Sequence, residues 1–523
     1  MPSGTRLTPL ATLPFDALLA YDRAFFPAAR ADFLQRWIGQ PHSLALGLLE
    51  SQSLLGYGVR RAGPGTGAQL RHHQLRAGLK PGALRKSVAT LPMACPRLRG
   101  HEQFEMQCHS KHAQNLQFED LFFKLQVLRY HRAMIERNIT PVLRQLANQY
   151  PVITLTGPRQ SGKTTLARSL FADKPYLSLE DPDTRRYAAD DPRGFLAQYT
   201  QGAVLDEIQR APELASYLQG MVDANPQPGR FILTGSHQFE LMTQVSQSLA
   251  GRTALLRLLP FTLAETQRLS GAVANPDLAQ TLLTGFYPRI HDQRLNPSQA
   301  LADYFATYVQ RDLRQLAAVQ DLQRFERFVR LCAGRTGQLL NLSSLGNDAG
   351  VSHATARAWI DLLQSSYIVH LLPPWFTNTG KRLVKAPKLY FYDVGLACWL
   401  LGLRSAEQVA RDPLWGSLFE NFVIMEAMKD RLNAGETAEM YFYRDSEGNE
   451  VDLLLPTGGK MHAIEIKAGA TINPDYFKGL KTFAAHHRTM LGGGCVVFGG
   501  TQAQNRSDWP VHSWLQLQSK ALI

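Results

Sequence analysis

The 523-residue chain is poor in cysteine, with five widely scattered. That excludes the disulfide framework of a small secreted domain. No uncharged apolar run approaches the roughly 18 residues that a membrane span needs, so no membrane partner is expected. The opening residues, MPSGTRLTPLATLPFDALLAYDR, break their apolar stretch with Asp16 and Asp22, which argues against a signal peptide. No internal repeat is visible. Hydrophobic residues make up 45% and charged residues 19%, ordinary globular usage that excludes global disorder. A soluble, cytoplasmic protein of about three or four domains is expected.

The net charge of +12 is unevenly spread. Residues 1–133 hold 17 Lys and Arg against 8 Asp and Glu, and the remaining 390 residues hold 39 against 36. Global charge is therefore weak evidence that the later part binds nucleic acid. Within residues 1–61, Leu18, Tyr21, Phe25, Phe33 and Trp37 have helical spacing, and SLALGLLE and SLLGYGVRR read as a strand hairpin. This stretch resembles part of a GNAT-type acetyltransferase. It lacks the (R/Q)xxGx(G/A) loop with which that family grips acetyl-CoA, so no acetyltransferase activity is expected. Residues 62–133 read as a basic linker rich in breakers. Cys95, Cys108, His109 and His112 lie in it, but their spacing matches no standard zinc finger.

The character changes at Met134. An amphipathic helix with Val142, Leu143 and Leu146 leads into the apolar strand VITLTG. Gly157, Pro158, Arg159, Gln160, Ser161, Gly162, Lys163, Thr164 and Thr165 follow, fitting G-x-x-x-x-G-K-[ST]. Glycines let backbone N–H groups turn around a phosphate, and the following helix presents its N-terminus to the same anion. Lys163 would reach the β- and γ-phosphates of ATP, and Thr164 would ligate Mg2+. GAVLDEIQ is a second apolar strand. Its Asp206 would hold the Mg2+ and its Glu207 would polarise the attacking water, unless Glu207 merely caps a helix. RFILTGS is a third, ending in Thr234 and Ser236; one of these hydroxyls is expected to sense the γ-phosphate, and Ser236 is the preferred candidate. Arg252, in LAGR, either stabilises transition-state charge, in this chain or in a neighbouring subunit, or forms a surface ion pair.

Residues 271–384 read as helical. Leu342, Leu345 and Ala349 line one helix, Gly350 serves a turn, and Ser352 caps HATARAWIDLLQSS, after which Ile368, Val369, Leu371 and Leu372 begin a wing strand. His353, Thr355 and Arg357 are a thin set for reading DNA, so a packing or protein-contact role is the favoured expectation and DNA contact the alternative. In residues 385–523, WGSLFENFVIMEAMKDRL reads as an amphipathic helix carrying Glu420. YFYRDSEGNEVDLLLP reads as a hairpin carrying Asp452, and MHAIEIKAG as a strand carrying Glu465 and Lys467. Asp452 and Glu465, on neighbouring strands, can converge with Glu420 on one hard cation. Lys467 shares a face with Glu465 because strand side chains repeat every two residues, and it is not itself a ligand. A metal-dependent nuclease and an assembly-only domain both remain open.

Taken together, GPRQSGKTTL, AVLDEIQ, ILTGS, LAGR, YVQRDL, YFYRDSEGNEVDLLL and AIEIKAG resemble, in order, a family of prokaryotic AAA+-superfamily ATPases. Its members join a P-loop domain to a winged-helix region and a C-terminal PD-(D/E)XK-like domain, and the resemblance covers residues 134–490. It implies an α/β fold with a parallel sheet covered by helices on both faces over residues 134–270. A winged-helix module and a restriction-endonuclease-like α/β domain would follow. It implies ATP and Mg2+ as cofactors and ATP hydrolysis as the activity. It leaves DNA or RNA as partners, and assembly into a homo-oligomer, as open expectations.

Overall fold

The computed structural model describes residues 5–9, 43–50, 53–61, 73–75, 104–106, 135–236, 248–270, 276–310, 321–376, 385–506 and 508–519. They fall into two units, Met1–Gln126 and Val127–Ile523. In the first unit, β1 (Thr5–Pro9), β2 (Ser43–Glu50) and β3 (Ser53–Arg61) form an antiparallel sheet in that order. β2 and β3 cover the two segments whose patterning predicts a hairpin. Two further strands, β4 (His73–Leu75) and β5 (Phe104–Met106), pair in parallel within the stretch expected to be linker. Three residues are too few to carry a periodic signal. The helical reading around Leu18–Trp37 and the Cys95, Cys108, His109 and His112 group lie outside the described residues.

The second unit opens on the helix Thr140–Ala147 and a five-stranded parallel sheet. Its strands are β6 (Val152–Thr156), β7 (Tyr176–Ser178), β8 (Ala203–Asp206), β9 (Phe231–Gly235) and β10 (Thr253–Arg257), in the order β10-β6-β9-β8-β7. Every residue of β6, β8 and β9 is buried, as a parallel sheet covered on both faces requires. Alternate side chains feed two cores. Ile153, Leu155, Val204 and Ile232 pack with Leu143 and Leu166 on one face. Val152, Leu205 and Leu233 pack with Leu214 and Leu218 on the other. β6 lies between two strands that are not its neighbours in sequence. The crevice beyond its C-terminal end is therefore where such sheets bind ligands.

In the helical region, the helices Leu342–Ala349 and His353–Ser365 meet at Gly350, whose φ of +75° suits a residue without a Cβ. Ser352 Oγ accepts from Thr355 N at 3.1 Å, the expected cap. β11 (Val369–Leu372) then pairs antiparallel with β12 (Lys388–Phe391). A boundary after residue 384 therefore cuts through a two-stranded ladder.

The last sheet is mixed, with β13 (Tyr441–Arg444), β14 (Glu450–Thr457), β15 (Lys460–Lys467), β16 (Leu491–Phe498) and β17 (Val511–Ser513) in that order. The helix Lys478–His486 covers one face through Leu480 and Phe483. The helix Trp415–Asn433 covers the other, and it is not amphipathic. Asn421, Glu426 and Lys429 are buried along with its apolar residues. The reason is that Phe419, Phe422 and Val423 belong to one continuous core shared with the helical region, where Phe422 stacks on Phe286 at 5.5 Å. The two regions that sequence patterning separates are thus built around one core. Among the described residues Cys332, Cys398 and Cys495 are free and buried, and no helix is long and apolar enough to cross a membrane.

Candidate active site

The loop after β6 is shaped by its glycines. Gly157 has φ +145°, and a Cβ there would lie 2.1 Å from Leu258 O, so only glycine fits. Gly162 takes φ +92° and ends the loop at the helix Lys163–Leu170. Pro158, Arg159, Gln160 and Ser161 lie between, with Gln160 in the left-handed region at φ +61°. Ser161 Oγ is buried without a hydrogen-bond partner. Lys163 Nζ donates to Gly157 O at 2.9 Å and to Pro158 O at 2.8 Å, folding its ammonium over the loop. Burial pushes its pKa down to about 8, against the opposing pull of Glu207 and Asp206. Arg159 reaches Glu180 at 4.0 Å, and Thr165 is exposed on the first turn of the helix.

At the end of β8 the buried Asp206 collects hydroxyls. Thr164 Oγ1 donates to both its oxygens at 3.0 and 3.1 Å. Tyr176 OH donates at 2.7 Å, and Thr234 Oγ1 also donates. The Tyr176 hydroxyl is held well above its usual range by burial and then by Asp206. Glu207 follows in the left-handed region at φ +58°, an uncommon conformation for a residue with a side chain. Its Oε2 accepts from Ser236 Oγ at 3.0 Å and from Gln209 Nε2. Thr164, Asp206, Glu207 and Ser236 thus meet beside the loop. The oxygen donors Thr164 and Asp206 suit Mg2+, and the loop, with the unpartnered Ser161 hydroxyl, suits a phosphate. Sequence reasoning missed Tyr176 and Gln209, and of the two hydroxyls at the end of β9 it chose Ser236, which bonds Glu207, over Thr234, which bonds Asp206.

Arg252 is not brought to this site. It immediately precedes β10, and its carbonyl accepts from Val152 N at the start of β6. The loop leaves the other end of β6, a strand length of ~17 Å away. Arg252 instead grips Asp223 through Nε at 2.5 Å and Nη2 at 2.8 Å. This is the ion-pair alternative.

The C-terminal carboxylates assemble differently from the expected cation site. Lys467 Nζ donates to Asp452 Oδ2 at 3.0 Å and Glu465 Oε2 at 2.7 Å. Glu420 Oε1 accepts from Lys388 Nζ at 2.9 Å and Tyr390 OH at 2.5 Å, and Lys388 also pairs with Glu450. Burial, with Asp452 adding like charge, pushes Glu465 up to about 9. Burial would also raise Asp452, but Lys467, Lys388 and the Ile466 N–H outweigh it and hold it low. Four carboxylates are thereby served by two buried or half-buried ammoniums. Among the described residues no group of three or more His, Cys, Asp or Glu is arranged to hold a metal ion. The donor set as placed does not fit a cation, and Lys388, four residues into the C-terminal region, is the partner that sequence reasoning missed.

Residues 149–267 match the AAA domain family, 275–407 a domain of unknown function (DUF8612), 415–517 a domain of unknown function (DUF4143), and 18–67 the acetyltransferase (GNAT) domain. Uncharacterized protein Rv2008c of Mycobacterium tuberculosis and uncharacterized protein Mb2031c of Mycobacterium bovis are each 33% identical over 340 residues, 64% of this chain and 74% of theirs. The chain belongs to the family of these mycobacterial proteins. It carries an AAA-like P-loop ATPase domain, with ATP as the implied ligand. Two solved structures resemble parts of the chain. The Walker-type ATPase PABY2304 of Pyrococcus abyssi is 14% identical with a TM-score of 0.36, covering 52% of this chain and 97% of that one. The RuvB Holliday junction branch migration motor of Thermotoga maritima is 17% identical with a TM-score of 0.24, covering 45% and 89%.

Proposed function

We propose that the chain hydrolyses ATP in a Mg2+-dependent reaction and uses the cycle to move its helical and C-terminal regions. The meeting of Thr164, Asp206, Glu207 and Ser236 beside the loop carries this reading. Bound Mg2+ would neutralise phosphate charge, held by Thr164 directly and by Asp206. Lys163 would exchange its two loop carbonyls for phosphate oxygens. Glu207 would orient and deprotonate the attacking water, and Ser236, which donates to Glu207 at 3.0 Å, would set where that carboxylate waits.

The lysine-filled carboxylate cluster favours a C-terminal domain that binds partners without cutting. In this reading the PD-(D/E)XK-like fold serves assembly or regulation, and no step runs through a metal there. The helix–turn–helix and its strand pair support a winged-helix module whose exposed His353 and Arg357 are the candidate nucleic-acid contacts. Turnover measured with and without DNA and RNA tests the proposal. Strong stimulation assigns the movement to nucleic acid, and unstimulated turnover assigns it to a protein switch. Lys163→Ala should weaken nucleotide binding. Glu207→Gln should keep binding and slow hydrolysis by roughly 10²-fold or more. Unchanged turnover in Glu207→Gln would remove that residue from the mechanism.

A further inference from the structure

Residues 258–263 leave β10, enter the helix Leu263–Ser270 and join the sheet to the helical region. Buried side chains grip the backbone of this segment one residue after another. Arg137 Nη2 donates to Leu259 O at 2.7 Å, and Lys429 Nζ donates to Phe261 O at 2.8 Å. Glu265 Oε2 accepts from Thr262 N at 2.8 Å, and Glu426 Oε2 accepts from Leu263 N at 2.8 Å. These four charged residues are at most 5% exposed, and they pair as Arg137–Glu265 at 3.0 Å and Lys429–Glu426 at 2.8 Å. Charges so deeply buried hold their place only with such complete partnering.

The same segment is tied to the phosphate loop twice. Leu258 O fills the space a Cβ of Gly157 would need. Arg137 Nη1 donates to Ser161 O at 2.7 Å. A trans peptide is planar, with its C=O and N–H pointing opposite ways. Fixing the Ser161 carbonyl on Arg137 therefore points the Gly162 N–H away from Arg137. One planar guanidinium serves two carbonyls and a carboxylate at once, which a lysine cannot do. The far end of the segment is held by Lys429 and Glu426 on the helix Trp415–Asn433, which also carries Glu420.

We propose that Arg137 is a positioning residue for the phosphate loop, and that residues 258–263 transmit the loop's nucleotide state to the helix Trp415–Asn433. The proposal rests on the P-loop reading. Any coupling is reciprocal, so loosening the far end must change nucleotide affinity as well.

The test uses the full chain, a non-hydrolysable ATP analogue with Mg2+, calorimetric affinity, and amide hydrogen exchange across residues 415–433. In Arg137→Lys the affinity should fall ~10–100-fold, as expected when hydrogen bonds from a charged group are lost. The double variant Glu426→Gln with Lys429→Met removes both charges, so neither is left unpaired. It leaves the phosphate loop untouched, yet its affinity should shift several-fold, and the analogue-dependent change in exchange that the wild type shows at 415–433 should vanish. Wild-type affinity in Arg137→Lys, or a retained exchange response in the double variant, overturns the proposal. If Arg137→Lys does not fold, the double variant decides alone. Analogue binding lost in Lys163→Ala upholds the P-loop reading independently, whereas no binding by the wild type would sink both.

Discussion

Single residues decide where the chemistry sits, and Arg252 shows how little a residue's type alone fixes. Its place after Gly251 in LAGR left a transition-state arginine, in this chain or a neighbouring one, and a surface ion pair equally open. The parallel pairing of β10 with β6 puts it at the wrong end of the sheet, beside Val152. Nothing in a linear sequence states which end of a strand faces the ligand unless the loop that follows is itself recognisable. Gly157, Gly162, Lys163 and Thr164 were legible because backbone geometry demands them at fixed spacing. Tyr176 was not, because its contact with Asp206 depends on β7 pairing with β8. Arg252→Ala should therefore leave turnover unchanged at low protein concentration. A loss of turnover that appears only as concentration rises would show that Arg252 acts on a neighbouring subunit.

At the scale of elements, patterning found β2, β3, β6, β7, β8, β9, β11, β13, β14 and β15 because each is a short apolar or alternating run bounded by breakers or turns. It could not find that the helix Trp415–Asn433 is central, since its burial on all sides combines the C-terminal sheet with residues such as Phe286, more than 100 positions away. β11 carries a further consequence. His370 is half-buried, but its Nε2 is shielded from water and unpartnered, its ring is 5.8 Å from Tyr392, and its pKa is pushed down to about 4 by loss of solvation and then by Arg257. In the unfolded chain a histidine titrates near 6.5. The folded state thus binds fewer protons in this window. The stability is full above about pH 6.5 and is lost as pH falls towards 4. The loss between pH 7.5 and pH 5 should be about 2 kcal/mol. Denaturant melts of wild type and His370→Leu at both pH values isolate it from the carboxylates, and an equal loss in both proteins would refute it. The C-terminal strands make a sharper demand. With Lys388 and Lys467 seated among the carboxylates, Mg2+ or Mn2+ should neither raise the melting temperature beyond its ATP-linked effect nor support nicking of DNA or RNA. Nicking in Mn2+ that disappears in Asp452→Asn would reinstate the nuclease.

For the whole molecule, the question is where the working unit begins. The sequence placed a start at Met134 because composition changes there, and the second unit, Val127–Ile523, contains every residue of the nucleotide site and its cores. A chain starting at Met134 should therefore keep the full ATPase rate and melting temperature, with residues 1–133 dispensable. The boundary should be sharp. Glu136 O accepts from Arg268 at 2.7 Å, Arg137 grips the phosphate loop, and Asn138 N donates to Glu265 at 2.7 Å. A chain starting at Ile139 deletes all three and leaves Glu265 buried without its cation, an omission that costs about 3–5 kcal/mol. It should melt markedly lower and bind nucleotide poorly, although it loses only five further residues and keeps the whole sheet. Calorimetric melts and nucleotide affinity of the two truncations make the comparison directly. Equal behaviour would mean that Arg137 is a passenger at the edge of the fold. Loss of activity already at Met134 would mean that the first unit belongs to the working protein.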